Sequence, residues 1–366
     1  MIQKLVWENV KHRPLRTFLS ALLIAIPVTL VLTLAGLSKG MIEDANRRNR
    51  GVGADILMRP KGSSLLSLGS APIDQRVADF VGKQPHVTLA TGVLMQGLGN
   101  PLSTGGGIDL NAVNRMSGGF VYLAGGPFQG PDDMIVDENY ARERKLHVGG
   151  TLKLINHDWR VCGIVEPGKL NRVFFDLRRL QELTSNSGKV NTIYAKLDDP
   201  KNAGAVIDDL KKKLGDDYPI YSMDEFTSEF TVENIPGLKQ FTGVVVGIAI
   251  FIGFAVVCLS MYMAVLQRTR EIGILKALGA SRGYVVGIIL REAVLLAMAG
   301  TIVGIGMSFI ARWMLRTFVP ATMSPAIDPS WWPIAAAIAL VGAMLGALYP
   351  GLHAANMDPI EALAYE

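Results

Sequence analysis

The side chains here that could do chemistry are five histidines (His12, His86, His147, His157 and His353), two cysteines and several paired carboxylates. The histidines are scattered, with no H-E-x-x-H or Cys/His ligand spacing, and no G-x-S-x-G marks a nucleophile. Asp132-Asp133, Asp198-Asp199, Asp208-Asp209 and Asp216-Asp217 fall beside turns and helix ends, where carboxylates cap and solubilise. Cys258 sits in an apolar run and Cys162 stands alone in the polar part of the chain, so no disulfide staples that part. We therefore expect no catalytic, metal or cofactor residues on this chain.

One pattern imitates nucleotide chemistry. Met116-Ser117-Gly118-Gly119-Phe120 followed by Met134-Ile135-Val136-Asp137-Glu138 resembles the signature loop and Walker B strand of an ABC ATPase in order and spacing. No G-x-x-x-x-G-K-[ST] occurs to cradle phosphates, so the expected structure is a glycine turn followed by a strand.

Binding, rather than catalysis, is suggested by Gln267 to Arg282, read QRTREIGILKALGASR. Ile272, Leu275 and Leu278 recur at three-residue spacing, with Ile274 and Ala277 beside them. Together they predict a short helix with an apolar ridge and with Arg270, Glu271 and Lys276 on its other face. Gly279 is placed to end it. Such a helix can lay its ridge in a groove of a soluble partner or lie among lipid headgroups.

The elements that must hold this segment are membrane helices. The chain has 366 residues, 49% hydrophobic and 19% charged, with a mean hydropathy of +0.30, too apolar for an ordinary soluble protein. Thr17 to Ser38, Gln240 to Gln267, Ala293 to Ala311 and Pro329 to Met357 contain no Asp, Glu, Lys or Arg. Each is long enough to cross a bilayer as helix. Residues 39–239 form a polar block with 25 Lys+Arg and 25 Asp+Glu, so the net charge of +4 belongs to the flanks and a nucleic-acid surface is not expected.

Lys4, Lys11, Arg13 and Arg16 precede the first span, and Arg268, Arg270, Lys276, Arg282 and Arg291 lie between the second and third. By the positive-inside rule both segments, and hence both termini, are cytoplasmic and the polar block is outside. Lys39, Arg47, Arg48 and Arg50 oppose this, but long translocated domains largely escape the rule. The first apolar run is longer than a signal-peptide core and no cleavage site follows it, so it reads as a retained anchor. Ile2, Leu5, Val6, Trp7 and Val10 among charges suit an interfacial helix.

The expected order is then an interfacial helix (1–16), span one (17–38), an extracytoplasmic α+β domain (39–239), span two (240–267), and a loop with the start of helix three (268–292). Span three (293–311), a short external loop (312–330), span four (331–350) and a cytoplasmic tail (351–366) follow. Within the large domain, strands are predicted at 54–58, 87–94, 108–113, 151–155, 159–165, 173–175 and 192–197, with helices at 73–82, 138–145, 177–183 and 202–214. Gly105-Gly106-Gly107 and 117–130 are read as loops, with room for two lobes. From Met223 a helical pattern runs past Pro236 into span two, predicting a stiff joint there. Gly243/Gly247, Gly300/Gly304 and Gly342/Gly346 form G-x-x-x-G pairs that suit packing within the chain or between copies. Pro27 should kink span one, with Thr29 or Thr33 available to satisfy freed backbone groups. No ionisable residue lies near a span centre, which disfavours an ion-coupled carrier.

Four stretches also carry a resemblance. Arg268 to Ala280, with its TREIGILKALGA core, resembles the cytoplasmic loop of the MacB/FtsX-type ABC transporter permeases. Tyr349 to Leu363 resembles the same family's C-terminus, Pro14 to Leu22 its first span, and Val161-Cys162-Gly163-Ile164-Val165 through Phe175-Asp176-Leu177 its outer domain. The resemblance implies a permease subunit of the cytoplasmic (inner) membrane without its own ATPase, working as a homodimer. Residues Arg270, Glu271, Ile272, Gly273, Ile274, Leu275, Lys276, Ala277, Leu278, Gly279 and Ala280 would contact a separate ABC ATPase subunit, which holds ATP and Mg. It further implies mechanotransmission that exports or extracts a hydrophobic or amphipathic substrate, with a periplasmic adaptor or lipoprotein as a further partner. The alternative is FtsX-like transmembrane signalling that activates an external protein and transports nothing.

Overall fold

The computed structural model describes residues 14–62, 72–99, 104–229, 231, 234, 238–318 and 325–358. The expected interfacial helix at 1–16 falls mostly outside these residues, as does the tail from 359. The chain forms two compact units, one of 41–236 with 320–324 and one of the remaining residues.

The first unit is built on a sheet. In chain order its strands are β1 (Ile56–Met58), β2 (Ile73–Asp74), β3 (Val87–Gly97), β4 (Thr104–Ile108), β5 (Tyr122–Gly125), β6 (Asp133–Asp137), β7 (Thr151–Leu154), β8 (His157–Val165), β9 (Val173–Asp176), β10 (Lys189–Val190), β11 (Thr192–Leu197) and β12 (Ile220–Ser222). One sheet runs β12-β1-β11-β3-β4-β9-β6-β8-β5 with β7 beside β8, and β10 pairs β2 separately. The β4/β9 and β6/β8 pairs are parallel and the others antiparallel. The fold is α+β, with one continuous sheet path where the sequence left room for two lobes.

The central strands are buried on both faces, which is why their sequences are apolar at consecutive positions. Met134, Val136, Phe175, Ile56 and Met58 enter one core with Trp159 and Leu180, while Ile135, Phe174 and Leu57 enter the other with Ile108, Phe120 and Tyr194. Trp159 stacks 4.3 Å from Phe175 and donates Nε1–H to the Leu154 carbonyl at 3.1 Å.

Two expectations fail here for one reason. Gly105-Gly106-Gly107 is strand rather than loop, and the predicted strand 108–113 is instead the strand's last residue and the start of helix Leu110–Ser117. A Cβ on Gly105 would lie 2.6 Å from the Phe175 ring, one on Gly106 2.6 Å from Asn171 Nδ2, and one on Gly107 2.9 Å from Leu180 Cδ2. Large neighbours occupy the space where side chains would stand, so glycine is used against its strand propensity. Asp109 then stops the strand and caps the helix, accepting from Asn111 N at 3.0 Å and Ala112 N at 3.1 Å. As expected, the ATPase-like motif is a glycine turn, with φ of +76° at Gly118 and +87° at Gly119, leading on to buried β6.

An ionic cluster is the other feature of this unit. Asp44 accepts from Arg172 at 2.8 Å and from Arg48, and Leu170 N donates to the Arg48 carbonyl at 2.8 Å. Beside them Asp137 caps helix Glu138–Arg144 through Tyr140 N at 2.7 Å. Burial pushes the Asp137 carboxyl up to about 6, against the Tyr140 hydrogen bond and the attraction of Arg172 and Arg48. The folded state therefore holds this proton more tightly than the unfolded chain, and stability gained from it grows as pH falls from about 7 towards 4. Asp137→Asn keeps an oxygen for the cap. It should raise stability at pH 7.5 by up to about 2 kcal/mol and flatten the rise below pH 7, read from thermal midpoints of the full chain in detergent.

The second unit is helical. Among the described residues four helices are long and apolar enough to cross a membrane: αA (Pro14–Arg50), αB (Leu238–Gln267), αC (Arg282–Phe318) and αD (Trp331–Asn356). Helix αA is unbroken through Pro27 and continues past Gly40 to Arg50. Thr29 donates to the carbonyls of Ala25 at 2.8 Å and Gly304 at 3.1 Å, whereas the buried Thr33 hydroxyl has no partner among the described residues. The stiff joint expected at Met223 to Gln240 is not a continuous helix: helix Met223–Glu229 ends there, and Thr231 N and Asn234 N make turn bonds to Glu229 and Thr231.

Small residues set the spacing of this bundle. A Cβ on Gly300 would lie 2.7 Å from Ile24 and 3.0 Å from the Ala21 carbonyl; one on Gly304 would lie 2.7 Å from Val28 and 3.0 Å from the Ala25 carbonyl. A Cβ on Gly346 would lie 2.7 Å from the Phe254 carbonyl of αB, while one on Gly243 or Gly247 would meet nothing within 4 Å among the described residues. Two of the G-x-x-x-G pairs thus contribute to packing within the chain. Gly300→Val and Gly304→Val should each cost about 1–3 kcal/mol, and Gly243→Val should cost far less, measured as detergent melting temperatures.

Candidate functional site

The segment singled out for binding forms helix αX (Thr269–Ala277) between αB and αC. Its start is fixed by Arg268, which leaves helical geometry at φ −118°, ψ 17°. Thr269 Oγ1 donates to the carbonyls of Leu266 at 2.9 Å and Val265 at 3.2 Å at the end of αB, the latter also accepting from Arg268 N at 3.0 Å. Its end is a Schellman motif: Gly279 N bonds the Lys276 carbonyl and Ala280 N the Leu275 carbonyl, each at 3.0 Å, with Gly279 at φ +92°. Ser281 then caps αC through Tyr284 N at 3.3 Å.

Three attachments hold αX to its own unit. Arg268 pairs with Glu292 of αC at 3.1 Å, the side chains 15% and 11% exposed. Ile272 packs on the cluster containing Val285, Ile289, Ala354 and Ala355, with Thr269 and Gly273 buried beside it. Lys276 Nζ donates to the Ala355 carbonyl at 2.8 Å and to that of Met357, closing the last turn of αD.

The outward face differs from the ridge drawn from spacing. Arg270, Glu271, Ile274, Ala277, Leu278 and Gly279 are exposed, Ile274 by 46% and Leu278 by 80%, whereas Ile272, Leu275 and Ala280 are half-buried. Steps of three residues drift by about 60° around a helix, so Ile272 and Leu278 end up on different sides. Lys276, expected on the polar outer face, turns inward because the carbonyls ending αD need a donor. The sequence reading also missed the Arg268–Glu292 pair. Its signal was available: a lone acid directly before a 19-residue uncharged stretch requires a partner.

Two family profiles divide the chain, the MacB-like periplasmic core domain over residues 17–213 and the FtsX-like permease C-terminal over 243–359. The chain belongs to the MacB/FtsX-like family of ABC transporter permeases. It is similar to an ABC transporter permease of Methanocaldococcus jannaschii, 26% identical over 61% of this chain and 59% of that protein. It also resembles the ABC transporter permease YknZ of Bacillus subtilis, 31% identical over 52% and 48%, and the macrolide export ATP-binding/permease protein MacB of Escherichia coli, 27% identical over 78% and 48%. The chain spans about half the length of these curated relatives. Among solved structures, the periplasmic region of MacB from Actinobacillus actinomycetemcomitans is 19% identical with a TM-score of 0.38, covering 51% of this chain and 97% of that one. The extracellular domain of YknZ from Gram-positive bacteria is 12% identical with a TM-score of 0.35, over 46% and 98%. Membership in this permease family and four span-capable helices make the chain a multi-pass membrane protein.

In this permease αX should depend on its lysine clamp. Lys276→Met is expected to lower stability by about 1–2 kcal/mol and to speed amide exchange in 269–277 while leaving 282–300 protected, as read by hydrogen-exchange mass spectrometry.

Proposed function

We propose that the chain is the permease subunit of an ATP-driven ABC transporter that exports or extracts a hydrophobic or amphipathic substrate by mechanotransmission, its αX helix docking on a separately encoded ATPase. What supports this is an outward face of Arg270, Glu271, Ile274, Ala277 and Leu278 on a helix fastened to αC and αD. Exposed leucine and isoleucine flanked by charges suit the groove of a soluble protein, and the fastening lets a push on αX pass into two spans. ATP and Mg belong to the partner, with αX, both termini and the ATPase in the cytoplasm and the sheet unit on the far side.

In this reading the stroke travels along αA rather than through 223–240. Its continuation from Met41 to Arg50 is bound to the sheet unit by Arg172–Asp44, by Leu170 N to the Arg48 carbonyl, and by Asn46 Nδ2 to the Thr227 carbonyl at 3.2 Å. A largely apolar recess bordered by Ile24, Pro27, Val31, Ile250, Gly253 and Ile338 lies among αA, αB and αD. A second copy completes the assembly, and the open Gly243/Gly247 face of αB suits it.

Co-purification with the ATPase tests the docking. Leu278→Asp, Ile274→Asp and Glu271→Arg should each cut recovery of the ATPase at least about tenfold, the effect of losing roughly 1.4 kcal/mol, without lowering the permease melting temperature. Full retention in all three would remove αX from the interface. ATP hydrolysis stimulated only by an external protein, never by an apolar solute, would favour the signalling alternative.

A further inference from the structure

At the end of the helical unit opposite αX, the loop 325–328 closes over αA and αC. Ala326 N donates to the Gly36 carbonyl at 2.9 Å, fixing that loop. The recess it forms is bordered by Thr33, Ser308, Phe309, Arg312, Asp328 and Trp332. This recess is polar where the αA/αB/αD recess is apolar, and the αX docking face has no part in it.

Its charges are unevenly committed. Asp328 is neutralised by Lys39 at 3.1 Å and bonded by Ser330 Oγ at 2.6 Å. Arg312 places Nε on the Pro325 carbonyl at 3.2 Å, and its two amino groups have no hydrogen-bond partner among the described residues. Ser308 donates to the Ile305 carbonyl at 2.6 Å, which leaves its oxygen free to accept, and the buried Thr33 hydroxyl is unpartnered. Buried hydroxyls are nearly always bonded, so one without a partner marks a position where a polar group belongs. A cation merely snorkelling at a span end would reach for water; Arg312 is instead held at the recess by its Nε bond. Trp332 and Phe309, ring centroids 6.4 Å apart, give the site the aromatic border found at the headgroup level.

We propose that this recess binds the phosphate of an anionic phospholipid from the leaflet opposite αX, with the Arg312 amino groups on the phosphate oxygens and Thr33 and Ser308 on an uncharged polyol headgroup. Arginine matches phosphate oxygens in two-pronged geometry. With Asp328 already neutralised by Lys39, the recess carries one net positive charge. It therefore takes phosphatidylglycerol in preference to phosphatidylethanolamine, whose ammonium would meet Arg312 and Lys39. The inference rests on the reading of the four helices as spans and is independent of the ATPase assignment, which the co-purification experiment tests separately.

Native mass spectrometry of the full chain in detergent, titrated with phosphatidylglycerol, phosphatidylethanolamine and diacylglycerol of the same acyl chains, decides it. Phosphatidylglycerol should bind about tenfold more tightly than the other two, and Arg312→Gln should remove that preference, as expected for one charge-assisted contact. Arg316→Gln, one turn further along αC on an exposed side chain, should change it less than about threefold. Thr33→Val should weaken phosphatidylglycerol two- to threefold with phosphatidylethanolamine unchanged, and it decides the matter if Arg312→Gln does not fold. The proposal is overturned by equal losses in the two arginine variants, by diacylglycerol binding as well as phosphatidylglycerol, or by an indifferent Thr33→Val. Displacement of the lipid by millimolar inorganic phosphate would assign the recess to a free anion instead.

Discussion

Lys276 and Arg268 solve a problem that every helix end in this bundle faces. The final carbonyls of αD have no intrahelical donors, and Glu292 enters αC at a half-apolar level where an unpaired carboxylate would be costly. Both needs are met from the nine-residue αX and the residue before it. A buried ion pair adds little net stability by itself, but removing one partner is costly, so the pair specifies position more than it stabilises. An element too short to be stable alone is thereby held in one place, with its remaining face free.

Much of this was legible in the sequence because membrane helices and buried strands advertise themselves. Uninterrupted apolar runs gave the four spans, and Asp137 and Asp176 stand directly before the helices predicted at 138–145 and 177–183, where helix starts need an acceptor. The Gly279 stop was legible too, since only glycine takes φ +92° without strain. What was not legible depends on contacts distant in sequence. The strand of Gly105 to Gly107 looks like a loop until Phe175, Asn171 and Leu180 are seen to fill the places of its side chains. The inward turn of Lys276 depends on carbonyls some eighty residues later.

The continuity expected between Met223 and span two failed for a similar reason. Helical propensity from Met223 onward suggested continuity with αB, yet that helix stops at Glu229 and the next begins at Leu238. The element that does cross from one unit's residues into the other's is αA, and its last turns carry Asp44 and Arg48 into the ionic cluster with Arg172. Of the charges after span one that oppose the positive-inside rule, Lys39 pairs with Asp328, Arg48 with Asp44 and Arg50 with Asp224.

Only Leu278 to Ser281 separate αX from αC, and both sides of that interval are pinned, one by the glycine closure and the other by the serine cap. Such a short elbow leaves no slack to absorb a displacement. In the proposed reading a tilt imposed on αX would pass to the 37-residue αC behind it, and at about 1.5 Å of rise per residue a tilt of a few degrees at the elbow would become a sweep of several ångströms near Arg312. In that reading the bend would be the pivot of a crank, and lengthening it by even two flexible residues would let one arm turn while the other stayed still.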